Sequence, residues 1–206
     1  MARGRLITIE GLDGAGKTTL AAELQRELAE RGVEVTVLRE PGGVAVAERL
    51  RELVKDPTVQ LGARAEALIY AAARAQLIEE AVEPVLGAGG WVLLDRFVDS
   101  SLAYQGGARG LGVDEVGSIN RFATGGLKPD RTLLLELDPE LGRSRSRARG
   151  EVLDRLEAEE DEFFEAVRST YAELAEREPD RVRRIDASRP REDVLEAALA
   201  ELADLL

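Results

Sequence analysis

Apolar residues fall along the chain in short runs that alternate with longer segments of helical spacing. Arg5-Leu6-Ile7-Thr8-Ile9-Glu10 predicts a first strand that runs into a glycine-rich turn. Over 18–31, Leu20, Leu24 and Leu28 form an i, i+4 stripe that gives a helix one apolar face, and Gly32 ends it. Residues 33–38 read as a second strand, closed by Glu40-Pro41-Gly42-Gly43. A helix is expected over 44–55, ending at Lys55-Asp56-Pro57 because proline pushes the residue before it out of helical geometry. Residues 63–86 form a long alanine-rich helical stretch with Pro84 near its end, and Trp91-Val92-Leu93-Leu94-Asp95 is a short apolar strand ending in a carboxylate. Thr132-Leu133-Leu134-Leu135 reads as another strand. Helices at about 139–149 and 158–177 flank an arginine-rich segment, residues 182–186 form the last strand before a final helix, and the glycine-rich stretch 106–112 reads as a loop.

Strands alternating with helices predict an α/β fold, a parallel five-stranded sheet with helices on both faces. With no internal repeat and no low-complexity linker, 1–206 is read as a single domain. No apolar run approaches the ~18 residues of a membrane span, and the start leads straight into a strand, so no signal peptide is expected. Cysteine is absent, which removes disulfides and thiolate chemistry and fits a cytoplasmic protein. Histidine is absent too, which removes serine–histidine triads, histidine bases and histidine-held zinc. Chemistry is left to carboxylates, arginine, lysine, backbone amides and a hard cation. The net charge of −12 speaks against a nucleic-acid surface, and a small anionic ligand needs the basic residues gathered in one place.

Such a place is signalled by Gly11-Leu12-Asp13-Gly14-Ala15-Gly16-Lys17-Thr18, which matches G-x-x-x-x-G-K-[ST] between a strand and an amphipathic helix. Its glycines let successive amides point at phosphate oxygens, and the helix amino terminus adds unsatisfied N–H groups and partial positive charge. Lys17 is suited to the β- and γ-phosphates and the Thr18 hydroxyl to Mg²⁺. Thr19 completes the triphosphate cradle. The bland reading, a glycine turn that only caps a helix, fits this context poorly.

A phosphate loop does not name a reaction. A GTPase would need a guanine-reading Lys-x-Asp preceded by Asn or Thr, and the nearest string, Leu127-Lys128-Pro129-Asp130, has leucine there. Asp95-Arg96 follows an apolar strand, where parallel sheets bind ligands. The carboxylate would organise magnesium and the arginine would grip an acceptor phosphate bidentately; a surface ion pair is the plain alternative. Arg143, Arg145, Arg147 and Arg149 read mostly as a solvated helix face. Gly150 breaks that helix directly after Arg149, which suggests a short lid, about 143–157, closing an arginine over the transferring group. A kinase for a small acceptor and a nucleotide-dependent regulatory protein without an acceptor both remain open at this point.

The motifs in order make the chain resemble bacterial thymidylate kinases over nearly its whole length. They are the phosphate loop with Asp13, Arg39-Glu40-Pro41-Gly42-Gly43, Tyr70-Ala71-Ala72-Ala73-Arg74-Ala75-Gln76, and Asp95-Arg96-Phe97 with Ser100-Ser101-Leu102-Ala103-Tyr104-Gln105-Gly106. Pro129-Asp130-Arg131-Thr132, Arg149-Gly150-Glu151-Val152-Leu153-Asp154-Arg155 and Ile185-Asp186-Ala187 complete the series. The resemblance implies a P-loop kinase fold, ATP with Mg²⁺ as donor, dTMP as acceptor, and a homodimer, for which the helices at 44–55 and 63–86 would supply apolar surface. It implies that Arg96 holds the acceptor phosphate with the 39–43 loop, including Arg39 and Pro41, and that Asp13 sits near the acceptor's 3′-hydroxyl. Arg74, with Ser101 and Gln105, would read the thymine edge, Tyr70 would stack on the base, and Tyr104 would crowd the 2′ position. With Gly14 and Ala15 where some members carry an arginine, Arg149 would supply the catalytic charge, and adenine would lie toward Asp186 and Ala187. The chain departs from the family pattern at Tyr70 (usually Phe), Phe97 (usually Tyr or His) and Val44 (often Thr), and its lid is one residue longer. Other pyrimidine monophosphates remain alternative acceptors.

Overall fold

The computed structural model describes residues 3–148 (146–148 as backbone), 155–156 and 159–206. Its strands are β1 (Leu6–Gly11), β2 (Val35–Arg39), β3 (Trp91–Asp95), β4 (Arg131–Glu136) and β5 (Val182–Asp186). They form one sheet in the order β2-β3-β1-β4-β5, and every pairing is parallel. The helices are α1 (Lys17–Glu30), α2 (Ala45–Lys55), α3 (Ala63–Leu77), α4 (Glu83–Gly87), α5 (Val98–Ser101), α6 (Val113–Ala123), α7 (Pro139–Ala148), α8 (Asp161–Arg177) and α9 (Arg191–Ala200).

Side chains alternate across a strand, so each strand here feeds two layers. Ile7, Ile9, Leu93, Leu133 and Leu135 pack against Leu20, Leu24 and Leu28 of α1 and Ala198 of α9. The leucine stripe read from the sequence is thus the buried face of α1, and each fully buried leucine contributes about 1.5–3 kcal/mol. On the other side, Leu6, Val92 and Leu94 meet Leu77, Ile78, Val82 and Leu86, while Leu134 and Val182 meet Phe164, Val167 and Tyr171 of α8. Both faces are covered, as the alternation of elements predicts.

Ile9 pairs with Asp95 and Gly11 with Leu135, which brings the ends of β1, β3 and β4 level. The phosphate loop and the Asp95–Arg96 turn therefore emerge side by side from the carboxyl edge of the sheet, where parallel sheets bind their ligands.

Three stretches differ from expectation. The helix over 63–86 is interrupted by a wide π turn at Ile78–Val82, after which Pro84 sits in the first turn of α4, where its missing N–H costs nothing. Residues 106–112 are not simply a loop: α5 continues through a wide helical stretch, Leu102–Ala108, that contains Gly106 and Gly107. Gly107 is there for contact, since a β-carbon on it would lie 2.0 Å from Thr170 Oγ1 of α8. Helix α6 has no counterpart in the sequence reading.

Candidate active site

Around the carboxyl edge of β1, β2 and β3 lies a cavity of about 410 Å³, a size suited to small ligands. The phosphate loop lines one side of it with Asp13, Gly14, Gly16, Lys17, Thr18 and Thr19. The sheet edge and the segments beside it contribute Arg39, Pro41, Asp95 and Arg96, and the helices add Tyr70, Arg74, Ser101, Tyr104 and Gln105. Gly11 and Ala15 are buried within the loop itself. Asp186 and Ala187 lie off this cavity at the end of β5, two strands from β1, where the Ala187 carbonyl accepts from Arg145 Nη1 at 3.0 Å. Arg149 and Asp154 lie outside the described residues.

The loop is built by conformations that side chains resist. Gly14 has φ +80°, and a β-carbon there would stand 2.1 Å from the carbonyl oxygen of Gly142 in α7. Lys17, in the first turn of α1, bends back so that Nζ donates to the carbonyls of Gly11 (3.1 Å) and Leu12 (2.9 Å). Burial, helped by nearby Arg96, pushes its pKa down to about 8, although Asp13 and Asp95 oppose this. Thr18 Oγ1 donates to Asp95 Oδ2 at 2.7 Å.

Asp13 joins the two halves of the site. Its Oδ1 accepts from Arg96 Nη2 at 2.7 Å and stands 3.8 Å from Lys17 Nζ. Burial alone would raise the Asp13 carboxyl, but the charges of Arg96 and Lys17 outweigh it and hold the group well below the usual carboxylate range. Arg96 has φ +71°, a left-handed backbone that costs a non-glycine residue about 1–3 kcal/mol and persists only where its surroundings hold it. Its guanidinium lies over the Tyr104 ring, 5.2 Å from the centroid, and Nη1 donates to Ser100 Oγ at 3.0 Å.

Arg74 is 1% exposed, and each of its three nitrogens is engaged by protein. Nε donates to Glu40 Oε2 at 2.7 Å, Nη2 donates to the Phe97 carbonyl (2.8 Å) and stands 2.6 Å from the same Glu40 oxygen, and Nη1 donates to Ser101 Oγ (3.0 Å) and Asn120 Oδ1. Burial pushes the Glu40 carboxyl up to about 7 even though Arg74 opposes it. Gln105 is held in turn by the buried Glu66, whose Oε1 accepts its Nε2 at 2.8 Å. Glu66 also takes Arg155, which donates Nε to the Val54 carbonyl at 3.1 Å and so fastens the far end of the 143–157 span to α2.

Sequence reasoning did not single out Glu40, Arg51, Lys55 or Ser100, all of which line the cavity, nor Glu10 and Glu66 beneath it. Glu10 was legible in part: in a strand whose parity buries Leu6 and Thr8, residue 10 falls on the same covered face, and a carboxylate there needs a task.

A family model described as "Thymidylate kinase" matches residues 9–198. The thymidylate kinase of Halorhodospira halophila is 48% identical over 206 residues, covering 99% of this chain and 96% of that protein. Those of Geobacillus sp. strain WCH70 (45%, covering 98% and 97%) and Deinococcus radiodurans (48%, covering 97% and 96%) are similar at comparable length. A match of this depth, running almost from end to end and taking in both sides of the cavity, is more than a shared fold: the chain belongs to the thymidylate kinase family.

Proposed function

We propose that this chain is a dTMP kinase, transferring the γ-phosphoryl group of ATP to dTMP to give dTDP and ADP for dTTP synthesis. The observation that carries the reading is the bridge at Asp13. One carboxylate touches both the phosphate-loop lysine and the guanidinium of Arg96, so a donor phosphate on Lys17 and an acceptor phosphate on Arg96 meet across a few ångströms. That is the positioning phosphoryl transfer needs. A phosphate monoester is a dianion over much of the neutral range, with a second pKa near ~6, so the acceptor needs little help from a general base. A protein without histidine suits it.

In this reading Gly11 to Thr19 hold the triphosphate, with adenine toward Asp186 and Ala187, and Arg149 adds charge from the lid. Arg39, Pro41, Tyr70, Arg74, Ser101, Tyr104 and Gln105 form the acceptor's wall. Among the described residues no group of three or more carboxylates stands ready to hold a metal by itself. The Thr18 hydroxyl against the Asp95 carboxylate does fit Mg²⁺, which keeps most of its waters and binds through one or two protein oxygens plus phosphates. Mg²⁺ would neutralise charge on the transferring group, and Thr18 and Asp95 would fix its place. The whole chain acts as one P-loop kinase unit in the cytoplasm. No helix among the described residues is long and apolar enough to cross a membrane. It works as a homodimer through exposed Val46, Leu53, Leu68 and Phe122 on α2, α3 and α6.

A coupled assay of ADP release across dTMP, dUMP, UMP, CMP and AMP tests the reading, with dTMP expected to give the highest kcat/KM. Preference for another pyrimidine would assign a different monophosphate kinase. ATP hydrolysis indifferent to every monophosphate would point to a regulatory protein instead.

A further inference from the structure

Beneath Arg96 lies a set of polar groups of which Ser100 alone reaches the cavity wall. Glu10, at the end of β1, is fully buried. Its Oε1 accepts the N–H of Phe97 at 2.7 Å and so fixes the peptide immediately after Arg96. Its Oε2 accepts the hydroxyls of Ser100 (2.6 Å) and Tyr171 (2.9 Å), which are themselves 2.9 Å apart. A serine hydroxyl has one hydrogen and two lone pairs. With the Ser100 hydrogen committed to Glu10, its lone pairs turn outward and receive Arg96 Nη1 at 3.0 Å. The carboxylate therefore sets the direction of a chain that runs from guanidinium N–H to Ser100 oxygen and from Ser100 O–H to Glu10.

Tyr171 reaches this point from α8, on the far side of the lid span in sequence. It supports the guanidinium twice. Its hydroxyl is a second donor to Glu10, where burial and the Asp99 charge push the carboxyl upward and the hydroxyl donors oppose them. Its ring packs edge-on against Tyr104, with centroids 6.5 Å apart, and Tyr104 is the ring on which Arg96 rests.

We propose that Glu10 and Tyr171 are positioning residues for acceptor binding, aiming the Arg96 guanidinium through Ser100 and Tyr104. This rests on the reading of Arg96 as the clamp on the acceptor phosphate. The test is dTMP affinity by calorimetry, with steady-state kinetics, on Tyr171→Phe, Ser100→Ala and their double variant, beside Arg96→Ala. Tyr171→Phe keeps the ring packing. It should weaken dTMP about five- to tenfold, the scale of one hydrogen bond, and kcat should fall less than the KM for dTMP rises, with ATP affinity unchanged. Because Ser100 and Tyr171 act on one carboxylate, the double variant should be no weaker than the weaker single. A lowered Tm with normal dTMP affinity in Tyr171→Phe would reduce the triangle to a structural support and overturn the proposal, as would fully additive effects. Normal dTMP affinity in Arg96→Ala would instead remove the clamp, and this inference with it. Loss in Arg96→Ala alone would leave the clamp standing and sink only the inference.

Discussion

Raising the pH from about 7.5 to about 9.5 should weaken ATP binding about 25-fold through Lys17, whose pKa in the free protein is about 8. At that pKa roughly three in four of its ammonium groups are charged at the lower pH and roughly one in thirty at the higher. Triphosphate oxygens around Nζ favour the charged form, so the complex must recover a proton that the free protein has lost. The donor itself contributes little, since phosphate monoesters titrate near ~6. Folding should respond in the opposite direction. The Lys17 pKa is lower in the folded chain than in the unfolded one, so below about pH 8 the native state bears the full cost of a buried ammonium. Between about 8 and the ordinary value of 10.5 the native state releases its proton first, and that cost, about 3 kcal/mol, fades. Calorimetry with a non-hydrolysable ATP analogue in buffers of different ionisation enthalpy reads both affinity and proton uptake. Lys17→Arg, which stays charged throughout, should flatten the slope whatever it does to the absolute affinity. A wild-type affinity that is level across the window, or an unchanged slope in Lys17→Arg, would show that Lys17 does not titrate with ATP binding.

Arg149→Ala should lower kcat about a hundredfold or more while the KM for dTMP moves little, and an unchanged kcat in steady-state assays would remove it from the mechanism. Gly14→Ala drives a β-carbon to within 2.1 Å of the Gly142 carbonyl from a strained φ. It should cost about 1–3 kcal/mol in denaturant unfolding and weaken ATP, and a silent variant would show that α7 can move aside. Phe122, 92% exposed, should matter only in an assembly. Phe122→Asp should shift the sedimenting species from dimer to monomer, and a monomeric wild type would dismiss the interface.

The inner strands β1, β3 and β4 were legible because a parallel sheet buried on both faces leaves little room for anything but apolar runs; the edge strand Val182–Asp186, with Arg183, Arg184 and Asp186, is only partly buried, yet its expected span coincides with the observed one. The phosphate loop was legible because its backbone demands glycines at fixed places. Gly106 and Gly107 misled for the same reason in reverse: read locally they signal a turn, but Gly107 is small because Thr170, more than sixty residues on in sequence, packs against it. Glu40 was visible only as a member of the 39–43 motif, with no role of its own, and Arg51 had no local signal. Each acquires its place through the 39–43 turn, where Arg51 Nη1 donates to the Pro41 carbonyl at 2.8 Å, and no periodicity encodes such a meeting. Arg74 was singled out as a reader of the base, while its commitment to Glu40, Ser101, Asn120 and Phe97 depends on partners from three separate segments.

That commitment shapes how a base docking on Arg74 is recognised. A guanidinium with unpartnered nitrogens adds bonds when a ligand arrives, whereas every nitrogen of this one already has a partner, so a hydrogen given to a nucleobase there would largely be shared with, or surrendered by, Ser101, Asn120, Phe97 or Glu40. Recognition by Arg74 would then be an exchange of partners at nearly constant bond number. Its heat should be small, its selectivity should lie in shape and in the penalty for leaving a displaced amide or carboxylate unmatched, and a ligand lacking the right acceptor should be refused because the exchange would leave a displaced partner unmatched.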